Sequence, residues 1–130
     1  MGIKDIEEVM VTACSALGIV PLSSIFVTED FPEGVSERIV IHVKQQTRGP
    51  YFYKGFVEVN YVVPDILGRA NHERLQSVEE ILTDAFRYDT VVTYDGETYR
   101  YGLESERILS EEKSEYHYVN ARLLFETLNI

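Results

Sequence analysis

Histidine and cysteine are the residue types that would carry metal or nucleophilic chemistry, and this sequence has few of them. Its histidines are His42, His72 and His117, and Cys14 is its only cysteine. No two histidines stand four residues apart, the spacing that would place both imidazoles on one helical face for zinc. A single cysteine forms no intrachain disulfide and supports no cysteine-based zinc site. We therefore predict no metal site, no cofactor and no catalytic residue.

Short catalytic motifs are also missing from the sequence. It has no Gly-x-Ser-x-Gly elbow, no Gly-x-x-x-x-Gly-Lys phosphate loop and no Gly-x-Gly-x-x-Gly after a strand. A carboxylate-rich stretch could bind a cation, although such a run is more typical of a solvated hairpin; it comprises Glu104, Glu106, Glu111, Glu112 and Glu115. The nine tyrosines favour either a protein interface or ordinary sheet packing.

The bulk properties indicate one acidic domain, 1–130. A chain of 130 residues is long enough for a single core, and its formal charge is -10 at pH 7. That charge disfavours binding to nucleic acid and to anionic membranes, since both depend on lysine and arginine. No basic segment precedes an apolar run, and no run of about 20 apolar residues occurs, so we expect neither a signal peptide nor a membrane span. We expect the chain to be made, and to stay, in a cytoplasm.

The elements that would position any site are built around the stretch 51–65. It alternates apolar or aromatic residues with polar ones, which predicts a long strand that ends at Pro64. The stretch Arg38 to Thr47 alternates as well, and a break at Arg48-Gly49-Pro50 predicts that the two strands form an antiparallel hairpin. The turn-forming residues between Val20 and Val35 predict a connecting segment, which could contain one short strand at Ile25 to Val27.

Two amphipathic helices and further strands complete the expected fold. Apolar residues at helical spacing predict a first helix ended by Gly18 and a second one capped by Asn71. Asp95-Gly96 predicts a tight hairpin, and 119–125 predict a final strand. The predicted class is α+β, with two helices packed on one face of an antiparallel sheet in the order α-β-β-α-β-β-β.

The central strand, its exit and the last strand carry a resemblance to a known family. The pattern Phe-Val-Glu-Val-Asn-Tyr-Val-Val-Pro-Asp at 56–65 is followed by Gly68-Arg69-Ala70 and a helix that begins Asn-His-Glu-Arg-Leu. The chain closes with His-Tyr-Val-Asn-Ala-Arg-Leu-Leu-Phe at 117–125. These features, over roughly 38–130, resemble the small tail-terminator, tail-completion and minor tail proteins of long-tailed bacteriophages and prophages.

The resemblance implies a non-enzymatic virion subunit. Such proteins assemble as rings, often six-fold, that cap the tail tube and meet the head, so the implied partners are further copies of the chain, the tube protein and head-completion proteins. The candidate contact surface is the tip of the first hairpin, namely Gln46, Arg48, Tyr51, Tyr53 and Lys54, although an ordinary exposed turn explains these residues equally well. Two alternatives remain: a small-molecule binder or isomerase-like domain with a pocket under the sheet, and a host adaptor without catalytic function.

Overall fold

The protein consists of two helices and a six-stranded sheet, seen in a computed structural model that describes residues 3–28, 30, 32, 36–48, 53–110 and 115–128. The elements, in chain order, are α1 (Ile3–Ser15), a short 3-10 turn (Leu22–Ser24), β1 (Ile25–Val27), β2 (Arg38–Arg48), β3 (Tyr53–Pro64), α2 (His72–Phe86), β4 (Thr90–Tyr94), β5 (Glu97–Ser110) and β6 (Tyr116–Leu128). The α+β class is therefore confirmed.

The sheet is mixed, which corrects the predicted fully antiparallel sheet. Its strand order is β1-β2-β3-β6-β5-β4. β1 lies parallel to β2, with Ile25 opposite Ile39, whereas the other neighbouring pairs are antiparallel. The predicted order α-β-β-α-β-β-β is wrong by one strand, because Ile25–Val27 is a strand and not only a connection. Three residues are too few for a period-two pattern to reveal which neighbour they pair with.

The two central strands, β3 and β6, place odd-numbered and even-numbered side chains on opposite faces of the sheet. Eight odd-numbered residues of β3 and β6 lie in the hydrophobic core with the buried residues of both helices, including Met10 on α1 and Leu82 on α2; they are Val57, Val59, Tyr61, Val63, Val119, Ala121, Leu123 and Phe125. Tyr61, Leu123 and Phe125 are fully buried there. Even-numbered residues of β3 and β6 point to the other face of the sheet, as the period-two geometry of a strand requires.

A bulge in β5 changes which residues face the core. Before the bulge, Tyr99 and Tyr101 pack in the core, and the ring of Tyr101 stacks on that of Phe125 at 5.6 Å between centroids. The register shifts between Leu103 and Ser105, so that Glu106 is then opposite the buried Ala121. Because one extra residue inverts the alternation, the side chains beyond the bulge exchange faces.

Local signals in the sequence set the ends of several elements as predicted. Asp95 and Gly96 both have positive φ, 49° and 79°, which is the backbone of the tight turn that joins β4 to β5. Gly18, at φ 69°, follows the last turn of α1. Asn71 caps α2, since its Oδ1 accepts a hydrogen bond from the backbone N–H of Arg74 at 3.2 Å.

A polar cluster fixes the start of α2 against the sheet. Arg74 donates from Nε to Glu37 Oε2 at 2.9 Å and from Nη2 to Glu37 Oε1 at 2.9 Å. The Tyr61 hydroxyl donates to the same carboxylate at 2.5 Å. Burial raises the pKa of Tyr61, and its bond to Glu37 raises it further, so the phenol stays neutral at physiological pH.

We predict that Asn71→Ala destabilises the protein by about 1 kcal/mol, because one N–H of the first turn of α2 loses its partner. Thermal unfolding followed by circular dichroism should show a fall of about 3–5 °C in the midpoint temperature. Asn71→Asp, which retains an acceptor at the same position, is the matched control. An equal loss in both variants would contradict the capping role.

Candidate functional site

The predicted contact surface at the tip of the first hairpin lies only partly within the described residues. Arg48 and Tyr53 are partners in the β2–β3 register, but their side chains lie outside the described residues, and Tyr51 does so entirely. Lys54 is exposed on β3. Gln46 is half-buried at a second bulge, between Val43 and Gln46. Whether these residues contact a partner stays a prediction.

Gln46 has a structural role that its polar character did not indicate. Its Nε2 donates to the carbonyl of Lys44 at 2.8 Å and to that of Phe56 at 3.4 Å. The amide lies over Gly55, where an added Cβ would come within 2.6 Å of it. Gln46 therefore fills the bulge, and Gly55 gives it the room to do so.

The side of the sheet that carries the even-numbered residues of β3 and β6 forms a second candidate surface. We call it the charged sheet face. Its centre consists of Phe56, Glu58, Asn60, Asn120 and Arg122, and it continues onto the residues of β2 and β5 that lie beside them. Val40 and Val62 on this side are buried, yet neither belongs to the core cluster that contains the helices.

A ladder of hydrogen bonds crosses the centre of this face from β2 to β6. Lys44 Nζ lies 2.9 Å from Glu58 Oε1, and Asn120 Nδ2 donates to Glu58 Oε2 at 2.8 Å. Asn120 also donates to Asn60 Oδ1 at 2.7 Å, and Asn60 Nδ2 donates to the carbonyl of Val40 at 3.3 Å. Both asparagines are 4% exposed, so this ladder satisfies polar groups that burial would otherwise make costly.

The strand cations gather on the charged sheet face. Arg122 lies over the ring of Phe56, 3.8 Å from its centroid, and its Nε is 3.8 Å from Glu104. Arg100 Nη2 is 3.0 Å from Glu126 Oε2. The register places every lysine and arginine with a described side chain in the strands on this face; they are Arg38, Lys44, Lys54, Arg100, Arg107 and Arg122.

The opposite side of the protein is acidic. Glu79, Glu80 and Asp84 on α2 surround, with Glu106 and Thr83, an open concavity of about 410 Å³. The Thr83 hydroxyl donates to the Glu106 carboxylate and so joins β5 to the helix. We call these four carboxylates the acidic helix surface. The total charge of the sequence did not indicate this separation, because it depends on the β5 bulge and on the position of α2.

The carboxylates predicted as a possible cation site do not converge. Glu104 pairs with Arg122 on the charged sheet face, whereas Glu106 binds Thr83 on the helix side. Glu111 and Glu112 lie outside the described residues, and Glu115 is exposed. Among the described residues, no group of three or more histidines, cysteines or carboxylates could hold a metal.

Cys14 and His117 occupy ordinary structural positions. Cys14 is fully buried in the core, and burial raises the pKa of its thiol to about 12, so the reactive thiolate does not form near neutral pH. His117 Nδ1 lies 2.8 Å from Asp65 Oδ1 at the corner where β3 ends and β6 begins. Within the described residues, no helix is long and apolar enough to cross a membrane.

A small apolar cavity of about 210 Å³ lies between α1 and the edge strand β4. Its lining consists of Val9, Thr12, Ala13, Ala16, Val92, Thr93, Tyr94 and Tyr101. The pKa of Tyr101 is raised, first by burial. This lining contains no carboxylate or histidine, so the cavity lacks the tyrosine–carboxylate pair expected of an isomerase-like pocket.

This protein is similar to a known protein in its fold, but no family model or curated sequence matches it. No protein-family model and no curated protein matches this sequence. A solved structure whose name describes no function aligns with 98% of this chain and 96% of its own chain, with a TM-score of 0.62 and 14% sequence identity. The two proteins share a fold over nearly their whole lengths, and at this identity the likeness shows the fold alone.

We predict that Glu58 makes stability depend on pH. Burial raises the pKa of Glu58, but hydrogen bonds from Lys44 and Asn120 lower it more, so that it lies below its ordinary value. A lowered folded-state pKa stabilises the protein above the unfolded-state value of about 4.3, and this contribution is lost as the pH falls through the folded-state pKa.

Urea unfolding between pH 7 and pH 3 tests this expectation. Glu58→Gln should lose about 1 kcal/mol of unfolding free energy at pH 7, and its curve should converge with that of the wild type at the acid end. Glu80→Gln is the matched control, because exposed Glu80 forms no ion pair within the described residues. A constant gap between wild type and Glu58→Gln at all pH values would contradict the prediction.

Proposed function

We propose that this chain is a non-enzymatic structural subunit of a phage or prophage tail, a ring-forming tail terminator or completion protein at the head–tail junction. The observation that supports it most is the charged sheet face. Its described polar groups bind one another across three strands, and this arrangement suits contact with another protein. The resemblance over roughly 38–130 supplies the family.

The partners that follow from this proposal are further copies of the chain, the tail tube protein and head-completion proteins, and the location is the virion tail. The exposed Lys54 and the rest of the hairpin tip are the proposed contact with the tube. The formal charge of -10 supports a place beside a DNA conduit, because like charge keeps passing DNA from adhering. Neither sequence-specific nucleic acid nor a membrane is a partner in this proposal.

The proposal predicts assembly into closed rings. Light scattering on a sizing column over a range of protein concentrations, with negative-stain images of heavy species, should give rings of about six subunits, since head-to-tail contacts that close form cyclic assemblies. A second experiment adds a tail tube protein encoded near this gene. Capped tubes of limited length are expected, and tubes that grow to the same length with and without this protein would contradict the proposal.

A second candidate function is the binding of a small apolar molecule, which the cavity between α1 and β4 favours. Its volume of about 210 Å³ fits a ligand of only a few heavy atoms. Ala13→Leu would fill the cavity from α1. If the cavity is a binding site, small aromatic probes that raise the unfolding temperature of the wild type should leave this variant unchanged; probes that shift neither protein would remove the candidate.

A further inference from the structure

We propose that the charged sheet face binds the acidic helix surface of a second copy of this chain, so that copies assemble head to tail. This inference rests on the proposed ring-forming function and identifies the two surfaces that would meet.

The two surfaces lie on opposite sides of one sheet. Glu106 and Arg107 are consecutive, and the register places Glu106 opposite buried Ala121 and Arg107 opposite Asn120 of the charged sheet face. Glu106 binds Thr83 on α2, so the carboxylate points to the helix side. A contact that joins one side of a copy to the other side of the next is heterologous, and repeated contacts of this kind give rings when they close.

Arg107 is the residue on the charged sheet face that is best placed to reach another copy. It is exposed, it forms no ion pair in the part of the chain that the structure describes, and the residue opposite it is an uncharged asparagine. The neighbouring cations Arg122, Lys44 and Arg100 are already paired with carboxylates of the same face. Arg107 is therefore the cation of this face that is available to pair with a carboxylate of another copy.

The acidic helix surface has the complementary character. Glu80 and Asp84 are exposed, stand four residues apart on α2, and form no ion pair with any described residue. Like charges at this spacing repel one another. The concavity of about 410 Å³ between them and Glu106 has room for a guanidinium group. An arginine of a second copy placed there would relieve this repulsion and gain charge-assisted hydrogen bonds.

Charge also favours a second copy over nucleic acid as the occupant of the charged sheet face. Glu58, Glu104 and Glu126 alternate with the cations there and would repel phosphates. Two copies that each carry a formal charge of -10 repel in most orientations, so that association requires oppositely charged patches to face each other. The head-to-tail arrangement is the one that places them together.

Charge reversal on each surface tests the inference. Arg107→Glu replaces the cation of the sheet face by an anion while the helix surface stays acidic, and the double variant Glu80→Lys/Asp84→Lys places cations on the helix surface while Arg107 is retained. Each protein alone should dissociate at a concentration about tenfold or more above that of the wild type, measured by sedimentation velocity at low salt. An equimolar mixture of the two proteins should regain assembly, because every contact in an alternating arrangement then joins opposite charges.

Matched controls have the same change in net charge at exposed sites elsewhere: Arg69→Glu for the first protein, and Glu8→Lys/Glu73→Lys for the second. Both should assemble like the wild type, and circular dichroism should show every variant folded. If the wild type forms rings but the reversed variants assemble equally well, or their mixture regains nothing, the paired surfaces are wrong while the ring-forming function stands. A wild type that is monomeric at every concentration also overturns this inference, whereas the tube-capping experiment still decides the proposed function.

Discussion

The unbroken antiparallel register between β3 and β6 is the constraint on which the rest of the molecule depends. It runs from Lys54 opposite Glu126 to Pro64 opposite Tyr116 without a shift. Because alternate residues point to opposite faces, this register places Tyr61 and Leu123 in the core and, at the same time, Glu58 and Arg122 on the charged sheet face. A slip of one residue would exchange the two sets, so the core and the surface are specified together.

Local patterns in the sequence were sufficient for the α+β class and for most elements. The alternation in β3, the Asp95-Gly96 turn and the Asn71 cap are each set by neighbouring residues, and each was predicted. The parallel pairing of β1 does not follow from the sequence, because a strand of three residues has no pattern that identifies a distant partner. The β5 bulge does not follow from it either, since period-two alternation gives no sign of a single inserted residue.

The same bulge explains why the distribution of charge over the two sides of the sheet could not be predicted from the sequence. Glu104 and Glu106 are two residues apart in a strand, so regular alternation would put both on one face, yet the structure places them on opposite sides of the sheet. A net charge of -10 spread over the sequence thus becomes an acidic helix surface and a sheet face rich in cations. Gln46 is a further example, since its amide fills a bulge over Gly55, a role that its polar character does not indicate, while its contact with a partner stays a prediction.

Zero-length cross-linking shows whether the charged sheet face of one copy contacts the acidic helix surface of another. A carbodiimide joins a lysine to a carboxylate only when they are in contact, and a mixture of isotopically heavy and light protein distinguishes links between copies from links within one copy. In the variant Arg107→Lys, which places an amine at the proposed contact, heavy–light links are expected between the substituted side chain and the helix carboxylates Glu79, Glu80 and Asp84. Heavy–light links that avoid the α2 carboxylates, in a protein that does assemble, would contradict this contact.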